Sequence, residues 1–289
     1  MAVASNPRLA RLELWVRKRV PTVIAGIVFL VLWEALARVI GSNRIFASLE
    51  YTWSSLLEQQ DTVFIRITET FTSVVVAFVL ASIFGILLGV VIAEIFTIRQ
   101  MSMPLVIFGY SIPHPVLAPV FVIWFLVFGD VVLLTFTGPS AYLFGSVTAE
   151  QAQQAFAING VTTFAAWVGF FPVFISTITG MNSLEERYRL LGQVLGATRW
   201  QMVKYFRFYR ALPNIASSLK STAQLSIVGV IVAEFVASGA GIGYQIVLAW
   251  KTAELGYMFG VIVVIMVGSY VFFQTVVWVI KKLTPPGIG

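Results

Sequence analysis

Glu69, Glu94 and Glu234 are carboxylates standing inside or at the ends of long apolar runs, and Gln224 and Ser226 share the run that ends near Glu234. A charged or strongly polar group held in hydrocarbon is costly, so each marks a gate, a solute path or a structural brace. For Glu69, Gln224, Ser226 and Glu234 the choice is between lining a path and tying helices together, and Gln224 reads equally as an interhelical hydrogen bonder. His114, the single histidine, lies between Pro113 and Pro115, a setting better suited to stabilising a kink than to acting as a base. Ser146 follows Gly145 with no motif around it, which leaves a hydrolase without a nucleophile and base. The chain has no cysteine, so thiol chemistry and thiolate-bound metals are excluded. It also has no GxxxxGK[ST] phosphate loop, so it cannot cradle ATP by that route.

The elements that position these residues follow from composition. Hydrophobic residues make up 58% and charged residues 11% of the chain, too little polar surface to cover a soluble globule. Runs near twenty apolar residues fall at about 21–40, 68–93, 104–128, 161–180, 215–236 and 258–279, predicting an all-α membrane protein with six transmembrane helices. Prolines 104, 113, 115 and 119 interrupt the third, a pattern tolerated where a helix faces protein or a cavity. Gly85 and Gly89 form a small-xxx-small face suited to close helix packing.

Orientation comes from the basic residues, which cytoplasmic loops retain. Arg8, Arg11, Arg17, Lys18, Arg19, Arg99, Arg187, Arg189, Arg199, Lys204, Arg207, Arg210, Lys220, Lys281 and Lys282 fall on one side of a six-span topology, fifteen of the nineteen Lys and Arg. Arg38, Arg44, Arg66 and Lys251 fall on the other, so both termini are expected in the cytoplasm. The net charge of +6 then follows from membrane orientation and needs no nucleic acid. The N-terminus has two readings, a cleaved signal peptide ending near Ala35-Leu36-Ala37 or a full span preceded by a short surface helix. The apolar run continuing through Ile40, and Pro7 at a first turn after Asn6, favour the second.

One stretch is wet. Residues 182–213 form a polar, basic insertion between two apolar runs. Ser183 with Glu186 has capping-box spacing, Gly196 can reverse the chain, and Thr198 with Gln201 repeats the box. Two helices joined at Gly196-Ala197 are predicted, the second stopping at Pro213. Leu184, Tyr188, Leu191 and Leu195 recur at helical spacing among arginines, giving the first helix an apolar face. From spacing alone, this is either a helical basic loop or an element built to enter a partner's groove.

Gly196-Ala197, the aromatic and basic run after it, and Ala211-Leu212-Pro213 resemble the cytoplasmic signature loop of binding-protein-dependent ABC importer permeases. Gly85, Gly89, Arg99, Pro104, Pro113 to Pro119, Trp124-Phe125, Gly129, Phe171-Pro172, Gly180, Ala233-Glu234 and Gly241-Ile242-Gly243 resemble the nitrate, sulfonate and taurine branch of that family. The resemblance covers most of 66–282, leaving 1–65 as a cytoplasmic segment, first span and external loop. It implies a type I, methionine-permease-like fold and no catalytic or metal-binding residue in this chain. It implies as partners a second permease copy, a cytoplasmic ATP-binding subunit dimer that binds ATP and Mg, and an extracytoplasmic substrate-binding protein. The loop residues implied to touch the ATPase are Glu185, Glu186, Leu190, Gly196, Ala197, Thr198 and Pro213.

Three departures stand out. Leu190 occupies a position where the family usually has an acid, which puts Glu185 or Glu186 forward to supply the charge. Tyr209 stands where a proline is usual. Residues 131–159 form an external insertion, with an apolar piece broken at Gly138-Pro139 and a polar piece from Thr148 to Asn159. It reads either as a re-entrant or surface-lying helix shaping the binding-protein dock or as a tolerated loop. The solute expected is small and delivered from outside. With 24 Phe and 8 Trp and no basic residue in mid-span, aromatic walls suit a flat heterocycle. The branch this chain resembles includes vitamin-type solutes, and that resemblance implies riboflavin or a thiamine pyrimidine precursor as the first reading. Sulfonate, taurine or nitrate on the same machinery is the second. A secondary transporter is the rival class, and it would call for internal repeats and an ion-coupling cluster.

Overall fold

The computed structural model describes residues 7–95, 111–124 and 149–283, with isolated positions among 104–109. The described residues are helical, with no strand among them. Among the described residues, five helices are long and apolar enough to cross a membrane: Val23–Ile40, Gln60–Glu94, Gly160–Asn182, Arg199–Val236 and Leu255–Leu283. The expected third span at 104–128 lies partly outside the described residues, and its described part is the shorter apolar helix His114–Trp124.

The chain divides into two compact units. The first comprises Met1–Gln60 with Ala249–Val261, and the second Asp61–Leu248 with Ile262–Gly289.

In the first unit, α1 runs Pro7–Ile40 without a break at Pro21, so the basic lead-in and the first span are one helix rather than a surface helix followed by a span. Gly41, at φ 65°, turns the chain out of it. Ser48 caps α2 (Leu49–Glu58) by accepting a hydrogen bond from the Tyr51 amide. Two α1 side chains fix this turn: Trp33 Nε1 donates to the Ala47 carbonyl at 2.9 Å, and Glu34 Oε2 accepts from the Leu49 amide at 3.1 Å. Phe46 packs against both Trp33 and Phe259, with ring centroids 5.5 and 5.2 Å away, and those two rings meet each other at 5.4 Å.

In the second unit, α3 (Gln60–Glu94), α4 (His114–Trp124) and α5 (Ala149–Asn182) precede the hairpin helices α6 (Glu186–Val194) and α7 (Arg199–Gln201). A π segment, Met202–Arg207, leads without interruption into α8 (Phe208–Ala233) and a second π segment, Glu234–Ser238. Helices α9 (Gly241–Lys251) and α10 (Leu255–Leu283) follow, each starting or ending in the first unit.

Helix α5 is the centre of this unit, with 61% of its span buried against 6–39% for the other four. Small residues bring its neighbours close. A Cβ added at Gly89 of α3 would lie 2.7 Å from Thr177 Cβ, and one at Gly229 of α8 would lie 2.8 Å from Ala165 Cα. Gly180 of α5 meets Ala211 of α8 just as tightly. Gly85 and Gly89 thus serve helix packing, where van der Waals contact rather than water exclusion drives association in lipid. Between these contacts sits a core of Val74, Ala77, Phe164, Val168, Val230 and Ala233.

The polar piece of the insertion, from Ala149 onward, forms the first turns of α5 and is continuous with the span, not a separate surface-lying helix. Residues 131–148 lie outside the described residues.

Candidate functional site

Three places in the second unit bring the sequence's polar and aromatic residues together, and all involve the helical run from 199 to 238, α3 or α5.

At the end of that run, Glu234 is 3% exposed and fully engaged. Its Oε1 accepts from Thr70 Oγ1 of α3 at 2.6 Å, and its Oε2 accepts from the Gly243 amide at 2.8 Å. Thr70 in turn accepts from the Ile242 amide at 2.8 Å. Gly239 and Gly241, both at positive φ, fold the chain back so that the Gly243 amide in the first turn of α9 points at the carboxylate and the Ile242 amide at Thr70, an arrangement the helix dipole favours. A Cβ on Gly241 would fall inside that carboxylate, and one on Gly243 would lie 2.8 Å from Oε2. The spacing Ala233-Glu234 with Gly241-Ile242-Gly243 is therefore a carboxylate and its cradle. The geometry is that of a brace between α3, α8 and α9.

At the beginning of the run lies a second cluster. Arg207, the last residue of the π segment, forms an ion pair with Glu94 at the end of α3. The same guanidinium donates to the carbonyls of Met181 at 3.1 Å and Ala93 at 3.2 Å, and to Asn182 Oδ1 at 3.1 Å. All four acceptors belong to the last turns of α3 and α5, where carbonyls lack helical partners and carry partial negative charge. Ala93, Phe174, Ile178, Met181, Val203, Ala211 and Ile215 pack beneath it. The π segment carries one extra residue per turn, seen in the Phe208 amide reaching back to the Val203 carbonyl.

The hairpin precedes this clasp. Helix α6 ends in a Schellman arrangement: the Ala197 amide donates to the Gly192 carbonyl at 2.9 Å, the Gly196 amide to Gln193 at 3.0 Å, and Gly196 adopts φ 68°. Thr198 and Gln201 form the full capping box of α7. The Ser183–Glu186 box does not form. Helix α5 reaches Asn182, so Ser183 Oγ donates back to the Gly180 carbonyl at 2.7 Å, and α6 starts at Glu186 with Glu185 as an N-cap lacking a side-chain bond. Pro213 likewise ends nothing, because α8 runs through it. A proline removes one amide and leaves the carbonyl four residues earlier, at Tyr209, without its usual donor. Tight packing of Ala211 on Gly180 holds that region helical.

Glu185 pairs with Arg187 at 2.6 Å and reaches Arg210 at 3.8 Å, while Glu186 pairs with Arg189 at 3.2 Å. Leu190, Leu191, Val194, Leu195 and Trp200 are exposed, Val194 at 84%. Glu69 pairs with Arg66 at 3.0 Å, both partly exposed. Gln224 faces outward from α8, and Ser226 is buried at the α5–α8 contact beside Gly169, its hydroxyl without a hydrogen-bond partner among the described residues. His114 opens α4, half-buried. Glu69, next to Thr70 in sequence, and Arg66 lie near enough to Glu234 for their charges to act on its carboxylate, whereas Gln224, Ser226 and His114 occupy other places. Thr70 and Arg207 are the members that spacing alone did not single out.

The third place is an aromatic groove of about 310 Å³ between α3, α4 and α5, lined by Phe84, Phe121, Trp167 and Phe170 with Leu80 and Ala166. Phe121 lies 5.7 Å from Phe164 and 5.9 Å from Trp167, and Trp167 meets Phe171 edge-on at 4.9 Å. Among the described residues, no group of His, Cys, Asp and Glu able to hold a metal is present.

Comparison with known proteins bears on these features. Residues 81–285 match the family described as binding-protein-dependent transport system inner membrane component. The chain is 23% identical to the formylaminopyrimidine transport permease protein ThiX of Halalkalibacterium halodurans over 221 residues, 75% of this chain and 76% of that one. It is 24% identical to the nitrate import permease protein NrtB of Leptolyngbya laminosa over 249 residues, 83% and 78% of the two chains. Over a shorter stretch of 85 residues, 29% of this chain and 32% of the other, it is 32% identical to the riboflavin transport system permease protein RibX of Chloroflexus aurantiacus.

Proposed function

Because the chain belongs to the binding-protein-dependent transport system inner membrane component family, we propose that it forms the translocation path for a small heterocyclic solute brought by an extracytoplasmic binding protein. The coarser statement needs no proposal. It is a multi-pass permease of an ABC importer in the prokaryotic plasma membrane, in the branch that includes nitrate and sulfonate permeases.

Two copies surround the path in this reading, with both termini in the cytoplasm. Each places its 186–201 hairpin on one subunit of a partner ATPase dimer that holds ATP and Mg. Exposed Leu190, Leu191, Val194, Leu195 and Trp200 suit a docking surface, since a hairpin meant only for water would not present them together. With Glu185 and Glu186 already paired to arginines of their own segment, the dock depends more on apolar fit than on a free carboxylate. Closure of the ATPase moves the hairpins and shifts access across the membrane, a two-state change that needs rigid levers and a bistable interface.

The observation carrying the solute class is the aromatic groove. Phe84, Phe121, Trp167 and Phe170 offer π faces and edges to a flat ring, and none of the described residues lining the groove is charged. Selection of an inorganic anion would call for fixed positive charge or aimed donors. A formylaminopyrimidine-type thiamine precursor is the first solute to test and riboflavin the second; nitrate, sulfonate and taurine are the competing outcomes. Uptake of each, labelled, into cells carrying this chain with its neighbouring ATPase and binding-protein genes tests the proposal. Heterocycle uptake that falls about tenfold with Trp167→Ala, on the scale of a lost stacking contact and its packing, supports it. Nitrate or sulfonate uptake unaffected by that substitution overturns the solute class, and uptake with no ATPase present moves the chain to the secondary transporters.

A further inference from the structure

From the clasp around Arg207, and resting on the importer reading above, we infer that this residue is the strut through which movement of the ATPase-facing hairpin reaches α3 and α5. It touches no solute and acts by positioning. One guanidinium gathers the Glu94 carboxylate, the Ala93 and Met181 carbonyls and Asn182 Oδ1, so a single rigid, planar group binds the ends of two membrane helices at once. Arg207 closes the π segment that joins the hairpin to α8, and one turn further on Ala211 meets Gly180 backbone to backbone. The helical run is unbroken from Arg199 through Arg207 to Ala211, so no loop separates the second hairpin helix from those two fixed points. Val203, 6% exposed, anchors the same face of the π segment in the apolar cluster below.

A force applied at Trp200 is therefore delivered along the continuous run from Arg199 to the inner ends of α3 and α5 rather than absorbed at the junction. The lining of the aromatic groove comes from those helices and α4, which connects the strut to the path. Ordinary positive-inside arginines do not have this arrangement. Arg187 and Arg189, for comparison, pair with Glu185 and Glu186 of the hairpin, Arg187 also lies over the Tyr188 ring, and Arg210 reaches back from α8 to Glu185; all three stay more than half exposed.

The test uses the full chain purified with its ATPase and binding protein in proteoliposomes, with MgATP and vanadate as the added small molecules. The sequence has no cysteine, so Val91→Cys on the exposed inner part of α3 gives a single site for maleimide labelling. With Arg207 intact, the labelling rate changes about tenfold between the nucleotide-free and MgATP–vanadate states, a typical coupling magnitude. In Arg207→Ala and in the milder Arg207→Lys, which keeps the charge but loses the fork, the ATPase still copurifies and basal hydrolysis stays within about twofold, while the labelling ratio falls towards one. The pair Arg207→Glu with Glu94→Arg recovers part of the ratio. A ratio unchanged in Arg207→Ala and Arg207→Lys overturns the strut, and so does loss of the ATPase from both variants, which would make Arg207 a docking residue. A wild-type chain that copurifies with no ATPase removes the importer reading first, and the strut with it.

Discussion

The two polar clusters on the helical run from 199 to 238 join it to the same neighbour, α3, at opposite ends and by opposite means. Thr70 to Glu94 rises about 36 Å along α3 at 1.5 Å per residue, and Arg207 to Glu234 about 40 Å along the other run. Two antiparallel rods are thus tied at both ends. The Glu234 end is dry, with a buried carboxylate satisfied by a hydroxyl and a helix-initiating amide, each in one geometry. The Arg207 end is partly wet, with an ion pair whose side chains are 21% and 32% exposed and carbonyl acceptors that allow exchange. A dry tie that loses one partner leaves a buried polar group unmet, whereas a wet tie that loses one partner is re-solvated. The first determines whether the protein stands, the second how motion passes through it.

This contrast can be broken in order of expected effect. Gly241→Val places a side chain inside the Glu234 carboxylate at a positive φ, so the cradle cannot form; membrane-extracted protein should aggregate on size exclusion, and a monodisperse peak with wild-type thermal stability would refute the cradle. Glu234→Ala leaves Thr70 and the Gly243 amide without an acceptor and should cost about 2–3 kcal/mol in detergent unfolding, with Glu234→Gln milder because it keeps one acceptor. An equal loss from both would mean that packing, not hydrogen bonding, holds the site. Gly89→Leu forces α3 off Thr177 of α5 and should cost about 1–3 kcal/mol by the same assay. Thr198→Ala removes the capping box of α7 for about 1 kcal/mol, visible as faster amide exchange across 198–202 and little change elsewhere. Smallest is Ser226→Ala, neutral or slightly stabilising because it removes a buried hydroxyl with no partner among the described residues; a clear loss of uptake with normal stability would instead give Ser226 a place in the path.

Much of this was legible from residues alone, and the reasons are local. Apolar runs locate helices because lipid leaves the backbone no other partner. Gly196 and Thr198 declared the corner and the second cap because both motifs are complete within a few residues. Ser183 and Glu186 had the same spacing and misled, since whether a serine caps the next helix or closes the previous one depends on where α5 stops. Pro213 misled because its missing amide is compensated by packing against α5, which is distant in sequence. Glu234 stood out as a charge in an apolar run, but its partner Thr70 lies 164 positions away and no spacing rule connects them. Arg207 was hidden among the basic residues that set orientation. What distinguishes it is the convergence of two helix ends, a property of the fold.

The claim that the hairpin and the inner end of α3 move as one body can be measured directly. In the cysteine-free chain, spin labels at Trp200→Cys and Val91→Cys, with the labelled chain diluted into an excess of unlabelled chain so that each assembly carries one labelled copy, report one distance across the clasp, both positions being exposed. The account predicts one narrow distance distribution, the same without nucleotide and with MgATP–vanadate, that broadens only when Arg207 is replaced. A shift of about 5 Å or more on nucleotide trapping in the otherwise wild-type chain, on the scale of known helix ratchets, would show a hinge between hairpin and membrane and contradict it.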